Sequence, residues 1–111
     1  MSIQQKKQNG ILVVTLEGSL LGSPEVMELN GIFQKIGKEK QTHVIVDFGK
    51  VSLINSSALT QLIQGVAILK NAGGKLKLAS LSSKVKELLE RTRTAAMFEM
   101  YDSVQEAKES F

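Results

Sequence analysis

The chain has no cysteine in its 111 residues, which removes disulfides, thiolate nucleophiles and thiolate metal sites. A single histidine, His43, would leave any metal centre to rest on carboxylates; the acids are scattered, so neither a metal nor a cofactor is expected. Aromatic residues make up 5%, too few to interleave with lysines as a base-stacking surface does. The lysines, among them Lys35, Lys38, Lys40, Lys70, Lys75, Lys77, Lys84 and Lys86, alternate with acids and read as a solvated surface rather than a nucleic-acid face. Nowhere do about 18 apolar residues run together, and the opening Met1-Ser2-Ile3-Gln4-Gln5-Lys6-Lys7 has no signal-peptide run. The expectation is a cytoplasmic protein without a membrane span. One proline, Pro24, and no repeat or low-complexity tract leave nothing that reads as a linker.

What is present describes an ordinary globular chain. Apolar residues account for 42%, charged residues for 23%, and the net charge is +3, all compatible with one real core. The length suits one domain, residues 1–111, and makes a second catalytic lobe unexpected.

Asn9-Gly10 tolerates positive φ at both central turn positions, so it predicts a tight hairpin into a strand over residues 11–16. The first strand of that hairpin would be an edge guarded by Lys6 and Lys7. Ser23-Pro24-Glu25 is a helix start, with a capping hydroxyl, proline at the first helical position and an acid at the positive end of the dipole. Val26, Leu29, Phe33 and Ile36 then give one apolar face, and Gly37 is placed to terminate it.

His43-Val44-Ile45-Val46-Asp47-Phe48 is nearly continuous in apolar residues, the pattern of a central parallel strand covered on both faces. Asn55 or Ser56 is placed to cap a second helix carrying Leu59, Leu62, Ile63, Val66 and Leu69, ended by Asn71-Ala72-Gly73-Gly74. Lys75-Leu76-Lys77-Leu78-Ala79 alternates as a strand, and Ser82 or Ser83 opens a short helix. Residues 97–101 can form a last strand. Asp102 and Gln105 fit a capping box for a final helix that buries Val104, Ala107 and Phe111. The order ββαβαβα(β)α predicts an α/β fold with a mostly parallel sheet behind an N-terminal hairpin.

Catalytic patterns are missing. Ser57 has no Gly-x-Ser-x-Gly elbow, and His43 opens a strand with no specified partner. Gly73-Gly74-Lys75 follows a helix and precedes a strand, the reverse of a phosphate-binding loop. Asp47, the one acid inside an apolar strand, reads as a structural hydrogen-bonding group. The exception to this plainness is the junction at residues 51–59, where three capping-type residues stand in a row at the carboxyl end of a buried strand. That is the edge at which open α/β sheets bind. Capping requires only one of the three.

The run Val44-Ile45-Val46-Asp47-Phe48-Gly49-Lys50-Val51-Ser52-Leu53-Ile54-Asn55-Ser56-Ser57-Ala58-Leu59 resembles the signature of the STAS domain, shared by bacterial anti-sigma factor antagonists and the tails of sulfate transporters. The hairpin, Gly-Gly-Lys-Leu-x-Leu and the segment from Met97 to Ala107 extend the likeness over nearly the whole chain. The resemblance implies a STAS fold with a mixed four- to five-stranded sheet and about four helices.

In the antagonist branch the usual core is Asp-Ser-Ser-Gly-Leu, and the second serine, here Ser57, is phosphorylated by an anti-sigma factor that is also a serine kinase. The unmodified form binds that kinase, phosphorylation ends binding, and a PP2C-type phosphatase resets the system. The chain would then be a binding module and substrate rather than an enzyme. Its implied contact surface takes in Ser19 and Ser23, Ser52, Asn55, Ser56, Ser57 and Ala58, and Thr60, Gln61 and Gln64. Asn55 stands where Asp is usual and Ala58 where Gly is usual. These changes keep open a constitutive STAS subunit of a stress-signalling or lipid-transport complex, with Ser57 unmodified. A small nucleotide-binding protein or enzyme is the reading from another class. Partner identity and oligomeric state are left open.

Overall fold

A computed structural model describes residues 2–20, 23–39 and 41–111. Its first strand, β1 (Ser2–Gln8), turns through Asn9 and Gly10 into β2 (Ile11–Leu20). Both turn residues have positive φ, 52° and 79°, as the Asn-Gly pair predicts. The following elements are α1 (Ser23–Lys38), β3 (His43–Ile54), α2 (Ser56–Asn71), β4 (Lys75–Ala79), α3 (Ser83–Arg91), a 3₁₀ turn (Ala95–Met97), β5 (Glu99–Tyr101) and α4 (Val104–Glu109). The five strands lie in the order β1-β2-β3-β4-β5. Only β1 runs antiparallel to its neighbour; the β2–β3, β3–β4 and β4–β5 pairs are parallel. The expected architecture is therefore observed, with β3 at the centre.

Alternation along the strands sends side chains to two faces. Val14, Leu16, Val44, Val46, Phe48, Leu76 and Leu78 join the main core beneath α1, α2 and α3, whereas Ile45 and Ala79 pack with Ala107 of α4 on the other face. The α1–α2 contact uses glycine on each helix. A Cβ on Gly65 would stand 2.8 Å from the Phe33 ring, and one on Gly37 would stand 2.6 Å from Ile68 Cγ2. Gly37 thus lies inside α1, which continues to Lys38, and permits close helix packing rather than ending the helix as expected.

Two segments depart from expectation for tertiary reasons. The central strand continues well past Phe48 to Ile54, paired with β2 as far as Leu20↔Ile54, while its pairing with β4 stops at Asp47↔Ala79. Residues 48–54 therefore overhang β4. Two register shifts in the β2–β3 ladder, between Thr15 and Glu17 and between Gly18 and Ser19, twist this ribbon as bulges do. Phe48, Val51 and Ile54 then turn inward at intervals of three instead of two.

The second departure is Lys77, expected at the solvated surface but 2% exposed. Its Nζ donates to the Ser110 carbonyl at 3.0 Å and to Ser110 Oγ at 2.6 Å, lies 4.3 Å from the Phe111 ring centroid and 3.7 Å from Glu99 Oε1. The chain after α4 closes over the lysine and supplies most of the partners a buried cation requires.

The caps follow local chemistry. Ser82 Oγ accepts from Val85 N at 3.2 Å to open α3. For α4 the cap is Ser103, whose Oγ accepts from Glu106 N at 3.1 Å, one residue later than the expected Asp102. Glu106 Oε2 reaches back to Asp102 N at 3.3 Å, so it is Glu106 rather than Gln105 that answers the cap.

Candidate functional site

The parallel β2–β3–β4 core directs the carboxyl ends of these strands, and hence the starts of α1, α2 and α3, to one edge of the sheet. The junction of β3 with α2 lies there. Ile54 is buried, Asn55 is extended (φ −113°, ψ −178°), and its Oδ1 accepts from Ala58 N at 3.0 Å. Leu59 N donates to the Asn55 carbonyl at 3.0 Å. Asn55 is thus the cap, and Ser56 and Ser57 follow as the first two helical residues.

Both serines are exposed, and neither hydroxyl has a hydrogen-bond partner among the described residues. Beneath them Ala58 (0% exposed) and Leu59 (5%) are sunk in the core. The hydroxyls therefore ride on a fixed platform. The first turn of α2 carries no acid, so beyond the Asn55 cap no negative charge in that turn answers the positive end of the helix dipole.

The other expected contact residues divide. Thr60 is exposed, and its Oγ1 donates to the Ser56 carbonyl at 2.9 Å. Gln61, half-buried, donates from Nε2 to Oε1 of the exposed Gln64 at 3.1 Å. Ser52 is exposed on the overhanging ribbon, with Oγ 3.5 Å from the Gly18 carbonyl. Ser19 pairs with Leu53 through the β2–β3 ladder and Ser23 begins α1, but the side chains of both, and residues 21–22 of the loop between them, lie outside the described residues. Ala58 is a correction: its methyl points into the core, so a docking molecule cannot meet that side chain.

Two exposed apolar residues lie near these positions, Leu53 within the expected 52–57 contact segment and Met27 outside it. Leu53, next to the cap, is 44% exposed, and Met27 in α1 is 72% exposed. Leu53 was expected in a loop and instead lies on β3, which runs to Ile54.

His43 sits at the opposite end of β3 from Ser57, where its Nδ1 is 2.9 Å from Thr42 Oγ1 and its ring meets Phe111 edge-on at 4.7 Å. No Ser57–His43 pair is formed. Asp47 Oδ1 accepts from Gly49 N at 2.9 Å, the structural use expected of it. Among the described residues no three His, Asp or Glu side chains gather in a way that could hold a metal ion, and no helix is long and apolar enough to cross a membrane.

Comparison with known proteins gives this edge its context. The STAS domain family matches residues 2–107. The chain belongs to the STAS domain family. No curated protein matches it at the level of sequence. Among solved structures it is similar to an anti-sigma factor antagonist from Mycobacterium paratuberculosis (TM-score 0.86, 15% identity, covering 98% of this chain and 92% of that one). It is also similar to the Bacillus cell fate determinant SpoIIAA in its phosphorylated form (0.78, 17%, covering 98% of each chain). A sulfate transporter family protein from Wolinella succinogenes has the same fold (0.79, 17%, covering 90% of this chain and 83% of that one).

Proposed function

We propose that this STAS domain is an anti-sigma factor antagonist, a cytoplasmic, non-enzymatic module that binds an anti-sigma factor acting also as a serine kinase. Phosphorylation of Ser57 releases it, and a PP2C-type phosphatase restores it. The observation that carries the reading is the pair of exposed hydroxyls, without a partner among the described residues, on a platform held from below by Ala58 and Leu59. In the transfer step, Ser57 Oγ would bond to the γ-phosphorus of the kinase's ATP as the bond to ADP breaks, with the hydroxyl proton passing to a base on the kinase.

The product adds about −1.5 to −2 charges at a helix N-terminus, where free N–H groups and the dipole favour an anion. The fold therefore tolerates it. The partner interface does not, because a hydrated dianion must now be desolvated where a neutral hydroxyl made contact. SpoIIAA, solved in phosphorylated form with the same fold, supports the compatibility of that fold with modification.

A second reading, a constitutive interaction subunit with Ser57 unmodified, is favoured by Asn55. It keeps the capping bond to Ala58 N but presents no carboxylate to a kinase. Mass spectrometry after co-expression with candidate anti-sigma kinases separates the two. The antagonist reading expects the mass gain of one phosphoryl group that disappears in Ser57→Ala; a chain that stays unmodified while forming a complex supports the constitutive subunit.

A further inference from the structure

Beyond the hydroxyls, the same edge holds a groove. Because residues 48–54 overhang β4, the ribbon's end stands against α3 with a space of about 260 Å³ between them. Ser52, Leu53 and Ile54 form one wall, and Lys84, Glu87, Leu88 and Arg91 belong to the other. That volume is below the ~300–1,000 Å³ typical of small-molecule clefts, and fits one or two side chains. Leu53 gives the groove an exposed apolar wall.

Its lining carries two cations, Lys84 and Arg91, against one acid, Glu87. Arg91 is answered by Glu87 within α3, and the neighbouring Lys86 by Asp102 at 3.6 Å. Lys84 in the first turn is exposed and has no acidic partner among the described residues. A lysine near a helix N-terminus faces the positive end of the dipole, the unfavourable end for a cation. An incoming carboxylate would answer both.

We infer that the groove between the end of β3 and α3 receives an acidic peptide segment of the partner, a leucine-like side chain entering beside Leu53 and an adjacent carboxylate pairing with Lys84. The inference rests on the partner-binding reading above, with the groove acting as a second anchor beside Ser57. An acidic anchor steers association and orients the bound segment, while the buried apolar side chain supplies most of the affinity.

The test uses the full chain, isotopically labelled, titrated with a synthetic peptide bearing a leucine flanked by glutamates and with its glutamine counterpart, read by amide chemical shifts. Saturable shifts at residues 52–54 and 84–91 are expected with the acidic peptide. Affinity should fall by about threefold for the glutamine peptide or in Lys84→Gln, the size one exposed ion pair supports, and Ser57→Asp should leave this peptide's binding in place. Shifts elsewhere, no saturation at the groove, or equal affinity for the two peptides would overturn the inference. Because no kinase takes part, failure here is separate from failure to phosphorylate Ser57.

Discussion

Toward the amino edge of the sheet a buried lysine is enclosed by the chain itself, whereas at the carboxyl edge, beside the helix caps, two hydroxyls and a lysine are exposed. Lys77 is enclosed by Ser110, Phe111, Tyr101 and Glu99, His43 is held between Thr42 and Phe111, and Gln41 Nε2 donates to the Gly10 carbonyl at 2.8 Å. Ser56, Ser57 and Lys84, by contrast, are exposed without such partners among the described residues, beside the exposed Leu53. A polar group satisfied internally contributes to holding the fold, whereas an exposed one with a rigid base and no internal partner is available for recognition. The groups proposed for binding thus lie away from His43 and the enclosed Lys77.

That contrast can be broken first at Lys77. Lys77→Ala opens a cavity and removes both aromatic contacts, and is expected to cost about 2–4 kcal/mol in urea unfolding. Lys77→Met, which keeps the volume, should lose much less, because a buried cation's desolvation offsets much of what its contacts contribute. A negligible loss in Lys77→Ala would mean that the amino edge is not the stabilising one. A smaller effect, about 1 kcal/mol by the same measurement, is expected for Asn55→Ala, which removes only the cap of α2. Smaller still is the effect of a change at Ser57, whose exposed side chain makes no bond among the described residues.

The order of strands and helices, the type of the first turn and the central place of β3 were legible because each rests on local periodicity or turn chemistry. The family was legible through the run from Val44 to Leu59. The rest depended on contacts made at a distance. The overhang of β3 was hidden because bulges against β2 shift the burial of Phe48, Val51 and Ile54 away from a two-residue period. Lys77 reads as a surface lysine until α4 and Phe111 fold over it. Gly37 resembles a helix stop until Ile68 is seen to need its missing side chain. The groove arises only when the overhang and α3 are brought together.

The central claim is that charge at position 57 governs association without altering the fold. Its most direct measurement pairs calorimetric affinity for the anti-sigma kinase with the thermal midpoint, for the wild-type chain and for Ser57→Asp in the same buffer. The account predicts an affinity loss of about tenfold or more, ~1.4 kcal/mol, with a midpoint displaced by no more than about 2 °C. Unchanged affinity, or a midpoint that falls along with it, would contradict the account.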